Sequence, residues 1–216
     1  MEVSQAIEGR HSCRAFSERP VPRSTLERLM ELTCRAPSAI NLQPWLFTVV
    51  MDPEVKRLGQ RLLKAHAERD LGCKPDNQKP MPQVYLDRQA ELNRAMRPLL
   101  REAGVDLASF INQGSLTFYG APAVVVASLD RTFAQRRSLD LGLALGWLLL
   151  AARELSLDTC PIGLVCPYAD HMVDFLNLPE DQEVLLAVAL GYGDPDSPLN
   201  RLRTSRAPLK EVVRWY

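Results

Sequence analysis

The sequence predicts a single α+β domain, and three observations support this fold class. The chain has 216 residues, the length of one ordinary domain, and its composition of 46% hydrophobic and 24% charged residues is typical of a globular protein. Segments with the periodicity of helices are mixed with short apolar segments typical of strands. These strands are few and far apart along the chain, which favours an α+β domain over a doubly wound parallel sheet.

The first elements follow from periodicity and from helix-ending residues. A short helix is predicted over 2–9, because glycine commonly closes a helix. A second helix has apolar residues at helical spacing over 26–33 and should end near Ala36, since the residue before a proline avoids the helical region. Residues 37–44 then form a loop, and the aromatic and β-branched residues of 45–51 predict a strand.

The same patterns predict the rest of the chain. Pro122 falls in the first turn of the second strand, where a missing N–H donor is tolerated. In chain order the remaining predicted elements are a helix over 55–63, a proline-rich loop over 75–82, a polar amphipathic helix over 85–103, a short helix over 106–117, a strand over 121–129, a long apolar helix over 138–157, a strand over 183–192 and an irregular tail over 195–216.

Charge and hydropathy exclude several classes of partner. Lys plus Arg and Asp plus Glu are both 26, and this balance does not point to nucleic acid or to an anionic membrane. Charged and polar residues interrupt the N-terminus, so no secretory signal is expected. The longest apolar run, Leu141 to Ala152, is too short to span a bilayer and instead predicts a helix buried on most sides.

The cysteines and glycines exclude other kinds of site. Five cysteines at scattered spacing argue against a disulfide framework, and a reducing cytoplasm is the expected compartment. Cys160, Cys166 and His171 are too loosely spaced to predict a metal site, and no metal is expected. Gly191-Tyr192-Gly193 is followed by Asp194-Pro195, which cannot open a phosphate-binding helix turn, so a Rossmann domain is not expected.

The first candidate functional segment is Arg10-His11-Ser12-Cys13-Arg14-Ala15-Phe16, which directly follows a predicted helix. Two arginines and a hydroxyl group offer the charge-assisted donors that a phosphate dianion requires. The alternative is a solvated loop whose arginines form ordinary surface pairs. The thiol of Cys13 is either a redox-sensitive group or an inert filler.

The second candidate segment runs from Ala36 to Trp45. Its Ser, Asn and Gln side chains supply hydrogen-bond donors and acceptors between two prolines, and such a loop could recognise the edge of a planar heterocycle. The alternative is a capped loop between a helix and a strand.

Taken together, the two segments resemble the nitroreductase family. The shared pattern is Arg-x-Ser-x-Arg-x-Phe, a helix, and then Ala-Pro-Ser-x-x-Asn-x-Gln-Pro-Trp leading into a strand. The resemblance covers nearly the whole chain, because four further segments are similar to the family: Gly120–Pro122, Leu157–Gly163, Leu190–Gly193 and Arg206–Trp215.

The resemblance implies a three-layer α/β/α sandwich with a mostly antiparallel sheet, formed by a single domain over 1–216. It also implies an interlocked homodimer in which residues 195–216 wrap the partner, with the long apolar helix as the candidate dimer core. The implied cofactor is FMN, which receives hydride from NAD(P)H and passes electrons to a nitroaromatic or quinone-like planar acceptor by a ping-pong mechanism that needs no catalytic side chain. The alternatives are flavin reductase, reductive dehalogenase or ring-oxidising chemistry, a non-catalytic flavin-binding storage or sensor protein, and a flavin-free scaffold.

The family's site residues carry over by position. Arg14 matches the residue expected near the flavin pyrimidine, Arg206 matches an arginine that binds the phosphate, and the backbone of residues 161–163 is expected to donate toward the flavin N5. Residues of the second segment are expected to reach the flavin from the neighbouring subunit. The full set is Arg10, His11, Ser12, Arg14, Pro37, Ser38, Ala39, Asn41, Gln43, Pro161, Ile162, Gly163 and Arg206.

Three features distinguish this chain within the family pattern. Thr204 stands where many relatives carry a lysine, and Arg203 is the candidate to replace it at the phosphate. Gly163-Leu164 stands where some relatives carry a carboxylate, so the resemblance does not determine the substrate preference at this side of the flavin. Residues 73–119 are longer than in compact relatives and are similar to a nitrobenzoate-type subgroup, so this helical excursion is expected to cover part of the substrate pocket.

Overall fold

The computed structural model describes residues 1–69 and 79–216, and it contains one sheet with helices on both faces. The strands are β1 Trp45–Met51, β2 Ala123–Asp130, β3 Asp158–Ile162 and β4 Gln182–Gly191. The helices are α1 Val3–Gly9, α2 Arg23–Thr33, α3 Glu54–Arg69, α4 Gln83–Glu102, α5 Leu107–Leu116, α6 Ser138–Glu154, α7 Ala169–Leu176 and α8 Leu209–Val212.

The sheet has the strand order β1-β2-β4-β3, and each of these neighbouring pairs is antiparallel. At one end of the sheet, four residues pair side by side across the four strands: Met51, Ala123, Leu190 and Thr159. Trp45 begins β1 at the other end. Because β1 and β3 are the two edge strands, Trp45 and Thr159 mark diagonally opposite corners of the sheet.

Both faces of the sheet are covered by helices. Successive residues of β2 point to opposite faces. Val124 and Val126 pack into a core with α3 and α7, whereas Ala123 and Val125 pack into a core with α2 and α6. The predicted α+β class and the three-layer α/β/α sandwich are therefore confirmed.

Most predicted elements are present. The strand β1 has the predicted bounds. The helices α4 and α5 and the two central strands β2 and β4 lie where the apolar patterns predicted them. The helix predicted over 55–63 continues to Arg69, because Ala65 extends its buried face. Cys73 and Pro75, which belong to the predicted excursion and to the proline-rich loop, lie outside the described residues.

Three elements were not predicted as such: β3, α7 and the short helix α8, which lies in the tail that was expected to be irregular. Residues 158–162 were expected to form a loop, but they form β3, which pairs with β4 from Asp158 beside Gly191 to Ile162 beside Ala187. This edge position accepts Pro161, since an edge strand does not need every N–H. The helix α7 was also missed, although its αL residue Asn177 is a recognisable helix-ending signal.

The long helix α6 is only half buried within one chain. Leu141, Ala144, Leu148 and Ala152 face the core. On the opposite face Leu139 is 71% exposed, Leu143 49% and Trp147 45%. The expectation that this helix is buried on most sides is therefore wrong for a single chain. Its leucines cover the whole circumference, which gives the helix a second apolar face.

No helix in residues 1–69 and 79–216 combines the length and the apolarity that crossing a membrane would require.

Candidate functional site

The Arg10–Phe16 segment runs across the corner of the sheet that is marked by Thr159. Ser12 forms a parallel bridge with Thr159, and the Cys13 N–H donates to the Thr159 carbonyl at 2.9 Å. Phe16 then bridges Gly193, just after β4 ends. The segment is therefore held by main-chain hydrogen bonds to two neighbouring strands, which fixes the direction of the side chains between them.

Two glycines allow the segment to approach the sheet this closely. A Cβ at Gly191 would lie 2.6 Å from Cδ of Pro122 and 3.2 Å from the Phe16 ring. A Cβ at Gly193 would lie 2.8 Å from the Asp158 carboxylate and 3.1 Å from the Cys13 sulfur. Both distances to the nearest atom are shorter than normal contacts, so this end of β4 requires glycine for steric reasons.

Arg14 lies between the segment and α5. Its Nη1 donates to the Ser12 carbonyl at 3.4 Å, and its guanidinium lies 5.9 Å from the centre of the Phe110 ring. The phenol of Tyr119 is close by, and burial raises the pKa of this phenol, so that the group stays neutral beside the arginine. Arg14 is thus a partly buried cation in a largely aromatic surrounding.

His11 faces a cavity of about 320 Å³ at the same corner. Burial lowers the pKa of His11, and the nearby charge of Arg203 lowers it further. Asp158 lies on the same wall and is held by Arg153 at 2.6 Å and by the Gly193 N–H at 3.2 Å. The cavity is lined by His11, Cys13, Asp158, Gly193, Asp194, Pro195, Asn200, Arg201 and Arg203.

Cys13 is fully buried, and its thiol donates to the Ala15 carbonyl and to the Asn200 side chain. Burial raises the pKa of this thiol to about 12. Because the thiolate is the reactive form, these surroundings favour the inert filler over the redox-sensitive group.

The predicted 161–163 loop is built differently from what was expected. Pro161 and Ile162 belong to β3, and the Ile162 side chain is buried in the core with α3 and α7. Gly163 follows the strand directly, with no atom near the position of a Cβ. Only the backbone of this stretch is therefore free to face a ligand.

The basic residues Arg203 and Arg206 of the tail lie in different places. Arg203 faces His11 and lines the 320 Å³ cavity. Arg206 bonds within the tail, where its Nη1 donates to Thr204 Oγ1 at 2.7 Å. Arg206 lies instead in a second cavity of about 590 Å³ between the tail and α4. The structure therefore brings Arg203, and not Thr204, to the Arg10–Phe16 segment.

The second candidate segment is an exposed and strained loop. Ile40, Asn41 and Gln43 all have positive φ angles of 47°, 57° and 47°. Inside the loop, the Gln43 N–H donates to Ser38 Oγ at 2.9 Å and the Gln43 side chain donates to Asn41. The loop is tied to α6 by the Ala39 N–H, which donates to Asp140 at 3.2 Å. The polar side chains thus face solvent in a fixed local shape.

The two candidate segments do not meet within one chain. Asp140, which holds the loop, lies in the first turn of α6, whereas Arg153, which holds Asp158 beside the Arg10–Phe16 segment, lies in the last turn. Thirteen residues of helix separate them, a distance of about 20 Å. Within one chain the two segments are therefore held at opposite ends of α6.

Several residues of this region were not predicted. Asp140 and Asp158 each hold one of the two candidate segments, and Asn200 bonds directly to the segment at Arg14. Each is far from its partner in sequence, so no local pattern could have shown the contact. The only available signal for such a contact is a polar residue next to an apolar run, as Asp140 is next to the run that begins at Leu141.

The fold and the site define an α+β domain with a basic, partly buried segment suited to an anionic ligand. A profile of the nitroreductase family matches residues 7–192, and the chain belongs to this family.

Relatives and solved structures agree with this assignment. The chain is 29% identical over 210 residues to the 4-nitrobenzoate reductase of Pseudomonas putida, covering 95% of this chain and 91% of the relative. It is similar to the structure of the FMN-dependent nitroreductase NfnB from Mycobacterium smegmatis in complex with NADPH, with 31% identity, a TM-score of 0.88, and coverage of 99% of this chain and 97% of that one. The FMN and NADPH-dependent nitroreductase NfnB from sphigopyxis sp. strain HMH gives 27% identity and a TM-score of 0.90, with coverage of 100% and 99%.

Proposed function

We propose that the protein is an FMN-dependent oxidoreductase that passes electrons from NAD(P)H through bound FMN to a nitroaromatic or quinone-like acceptor. Membership in the nitroreductase family supports this function, as do the names of the FMN- and NADPH-dependent relatives. The observation in the structure that carries the proposal is a set of arginines without carboxylate partners.

Five arginines of the segment and the tail form no ion pair with the described residues: Arg10, Arg14, Arg203 and Arg206, and also Arg214 beyond α8. By contrast, Arg153 in the same region is neutralised by Asp158 at 2.6 Å. An unpaired guanidinium keeps its charge and its fork of donors for a ligand, and a phosphate dianion satisfies both. The donor chemistry of the site therefore fits the phosphate end of FMN.

Bound FMN would supply hydride acceptance from NAD(P)H and electron transfer to the second substrate. The residues of the chain bind and orient it. We assign Arg10, His11 and Ser12 to the ribityl phosphate together with Arg203, which faces His11, and Arg14 to the pyrimidine of the ring. The expected role of Arg206 at the phosphate stays a prediction, because within one chain Arg206 lies in the cavity between the tail and α4. A fixed cation at Arg14 stabilises the negative charge that reduction places there. The backbone of residues 161–163 is assigned to the N5 side of the ring.

The protein works as a homodimer in this proposal, and each flavin site takes residues from both chains. The loop residues Pro37, Ser38, Ala39, Asn41 and Gln43 reach the flavin from the second chain, because Asp140 beside the loop and Arg153 beside the Arg10–Phe16 segment lie about 20 Å apart along α6 within one chain. The exposed apolar face of α6 supplies the surface on which two chains pack.

The end of the C-terminal tail, from α8 onward, is assigned to the other chain as well, whereas Asn200 and Leu202 of the same tail pack on their own chain. After α8 it continues in an extended conformation, and Trp215 is 85% exposed. The edge strand β1 and the helix α2 form a groove of about 650 Å³. Its floor is lined by Leu26, Met30 and Val49, and its rim carries Arg23, Glu27 and Glu31. Because the tail likewise combines apolar and charged side chains and both surfaces are uncovered in one chain, we infer that the tail of one chain wraps the other along this edge.

The helical excursion is assigned to the substrate pocket. Its helix α5 brings Phe110 next to Arg14, and α4 carries the exposed aromatic ring of Tyr85 at its start. An aromatic surface beside the flavin pyrimidine suits a planar acceptor.

We also infer a reducing cytoplasmic compartment. No disulfide joins any of the described cysteines, which are Cys13, Cys34, Cys160 and Cys166.

The first experiment tests the cofactor and the chemistry. The purified protein should be yellow with the visible spectrum of FMN, and the spectrum should bleach with NADH or NADPH and recover when a nitroaromatic or quinone is added. A preparation that stays colourless after FMN is supplied contradicts the proposal. Tight FMN without NAD(P)H oxidation would indicate a storage or sensor protein, and turnover with free flavins or halogenated phenols alone would indicate the alternative chemistries.

The second experiment tests the assignment of one site to two chains. Arg14→Ala and the double variant Asn41→Ala/Gln43→Ala should each lose most FMN and most activity, because a charge-assisted hydrogen bond contributes about 1.5–3 kcal/mol, or roughly 10- to 150-fold in affinity. Arg131→Ala, which removes an exposed arginine elsewhere, is the control.

Co-expression of the two defective chains then tests whether one flavin site takes residues from both chains. A mixed dimer pairs the intact Arg14 of one chain with the intact loop of the other, so about a quarter of all sites should recover. If the co-expressed mixture is as inactive as its parents, the two segments do not share a flavin.

A further inference from the structure

Asn200 makes more side-chain hydrogen bonds to the Arg10–Phe16 segment than any other described residue. It lies in the short 3-10 turn Pro198–Arg201, and its Oδ1 accepts from the Arg14 N–H at 2.8 Å and from the Cys13 thiol at 3.3 Å. Its Nδ2 donates to the Ala15 carbonyl at 2.7 Å and to the Asp194 carbonyl at 2.8 Å. Two donors and two acceptor positions are the full capacity of a carboxamide.

The partners also fix which way the amide points. A main-chain N–H can only donate, so the oxygen of Asn200 must face Arg14. Main-chain carbonyls can only accept, so the nitrogen must face Ala15 and Asp194. An aspartate at this position keeps the acceptor but has no donor for the two carbonyls. The geometry therefore demands an amide of this length.

The turn that carries Asn200 is itself anchored to the helical excursion. Its neighbour Arg201 pairs with Glu102 at the end of α4. Leu202 packs with Leu100 of α4 and Phe110 of α5. The bonds of Asn200 thus connect a well-packed satellite core to the peptide planes on either side of Arg14, 186 residues earlier in the sequence.

We infer that Asn200 is a positioning residue for the flavin site, which holds the backbone of Arg14 and Ala15 so that the Arg14 guanidinium is fixed against the pyrimidine of bound FMN. This inference rests on the proposed FMN function. A cation stabilises a reduced flavin anion most when it is preorganised and does not have to be ordered during reduction. Asn200 supplies that order from the tail, because its Oδ1 accepts from the Arg14 N–H and its Nδ2 donates to the next carbonyl, that of Ala15.

The test compares Asn200→Asp with the wild-type protein. The aspartate sets a carboxylate oxygen against the carbonyls of Ala15 and Asp194, and we expect FMN to bind at least tenfold more weakly. We also expect the preference of the site for reduced over oxidised flavin to fall about tenfold, which is about 30 mV in the negative direction for a two-electron couple. Gln60→Glu, an amide-to-carboxylate change at an exposed position of α3, is the matched control and should change neither quantity.

The redox potential separates positioning from a merely structural role, provided that no charge is added. The carboxylate of Asn200→Asp lowers the potential by its charge as well. Asn200→Ser, which removes the amide and adds no charge, is therefore measured beside it, with a smaller shift in the same direction expected. If Asn200→Ser lowers thermal stability but leaves the potential of bound FMN unchanged, the inference is wrong.

Amide hydrogen exchange on the wild-type protein gives an independent check. The Arg14 N–H should be strongly protected because Asn200 accepts its hydrogen bond, and rapid exchange there would also overturn the inference. A wild-type protein that binds no FMN contradicts the proposed function, whereas a flavin-loaded protein whose potential is insensitive to Asn200 contradicts only the inference.

Discussion

The two candidate segments are built in opposite ways. The Arg10–Phe16 segment is bonded through its backbone to β3 and to the end of β4, and its thiol is fully buried. The loop of residues 37–44 has three residues with positive φ, is bonded mainly to itself, and is tied to α6 by Asp140. In it Ile40 is 89% exposed.

The difference in construction matches the different tasks proposed for the two segments. A segment that must hold charged groups is given a rigid backbone, because arginines are effective only when they are preorganised. The 37–44 loop, which the proposal places against a second chain, is left uncovered, and its shape is stored as local strain instead of burial. One chain therefore carries a rigid segment at one corner of its sheet and a projecting loop at the opposite corner.

The largest expected effect comes from breaking the close approach of the first segment. Gly193→Ala should lower the free energy of unfolding by about 1–3 kcal/mol, because the new Cβ would overlap Asp158, which is pinned by Arg153. Chemical denaturation measures it. Gly163→Ala is the matched control, since its Cβ meets no neighbour within 4 Å and should change stability by less than about 0.5 kcal/mol. Equal effects of the two substitutions would show that the packing at Gly193 is not tight.

A smaller effect is expected from the pH dependence of stability. Burial raises the pKa of Cys13 from 9.0 to about 12, so the neutral thiol is favoured in the folded state. Its contribution to stability is complete below pH 9 and is lost as the pH rises toward 12, and at pH 10 the loss is about 1.4 kcal/mol.

Cys13→Ala should remove this decline when unfolding is measured from pH 8 to pH 10. Cys34→Ala, which removes an exposed thiol two residues before Ala36, should retain it. A decline of the same size in Cys13→Ala would mean that other groups cause it, and the burial of the first segment would then not be responsible.

The smallest effect should come from relieving strain in the loop. Ile40 has a φ of 47°, which costs a branched residue about 1–2 kcal/mol, whereas asparagine tolerates this region. Ile40→Asn should therefore raise the free energy of unfolding by about 0.5–1 kcal/mol. Leu42→Asn is the control, because Leu42 has an ordinary φ of −67°. A similar gain in both variants would point to exposed apolar surface and not to strain.

Local patterns in the sequence predicted most of the fold. The alternation and length of apolar runs placed β1, α4 and α6 correctly, since both kinds of periodicity are visible within a dozen residues. The strand β3 was missed because it is short, contains Pro161 and exists only by pairing with β4, whose sequence lies more than twenty residues further on.

The candidate site, like the fold, was predictable from the sequence only in part. The types of residue in Arg10–Phe16 and in the 37–44 loop indicated phosphate and heterocycle recognition, and these types are a property of the sequence. The two glycines at the end of β4, the amide of Asn200 and the carboxylate of Asp140 matter only through contacts with distant segments.

The sequence by itself determined the fold class, the family and the chemical character of the two polar segments, because composition, periodicity and motif spacing are local properties. Only the tertiary structure decided that the segments lie at opposite corners of one sheet, about 20 Å apart along α6, and that α6 keeps an apolar face uncovered. The physical reason is that strand order and register are set by long-range pairing, which no single stretch of the chain encodes. The proposal of a flavin site assembled from two chains rests on that arrangement.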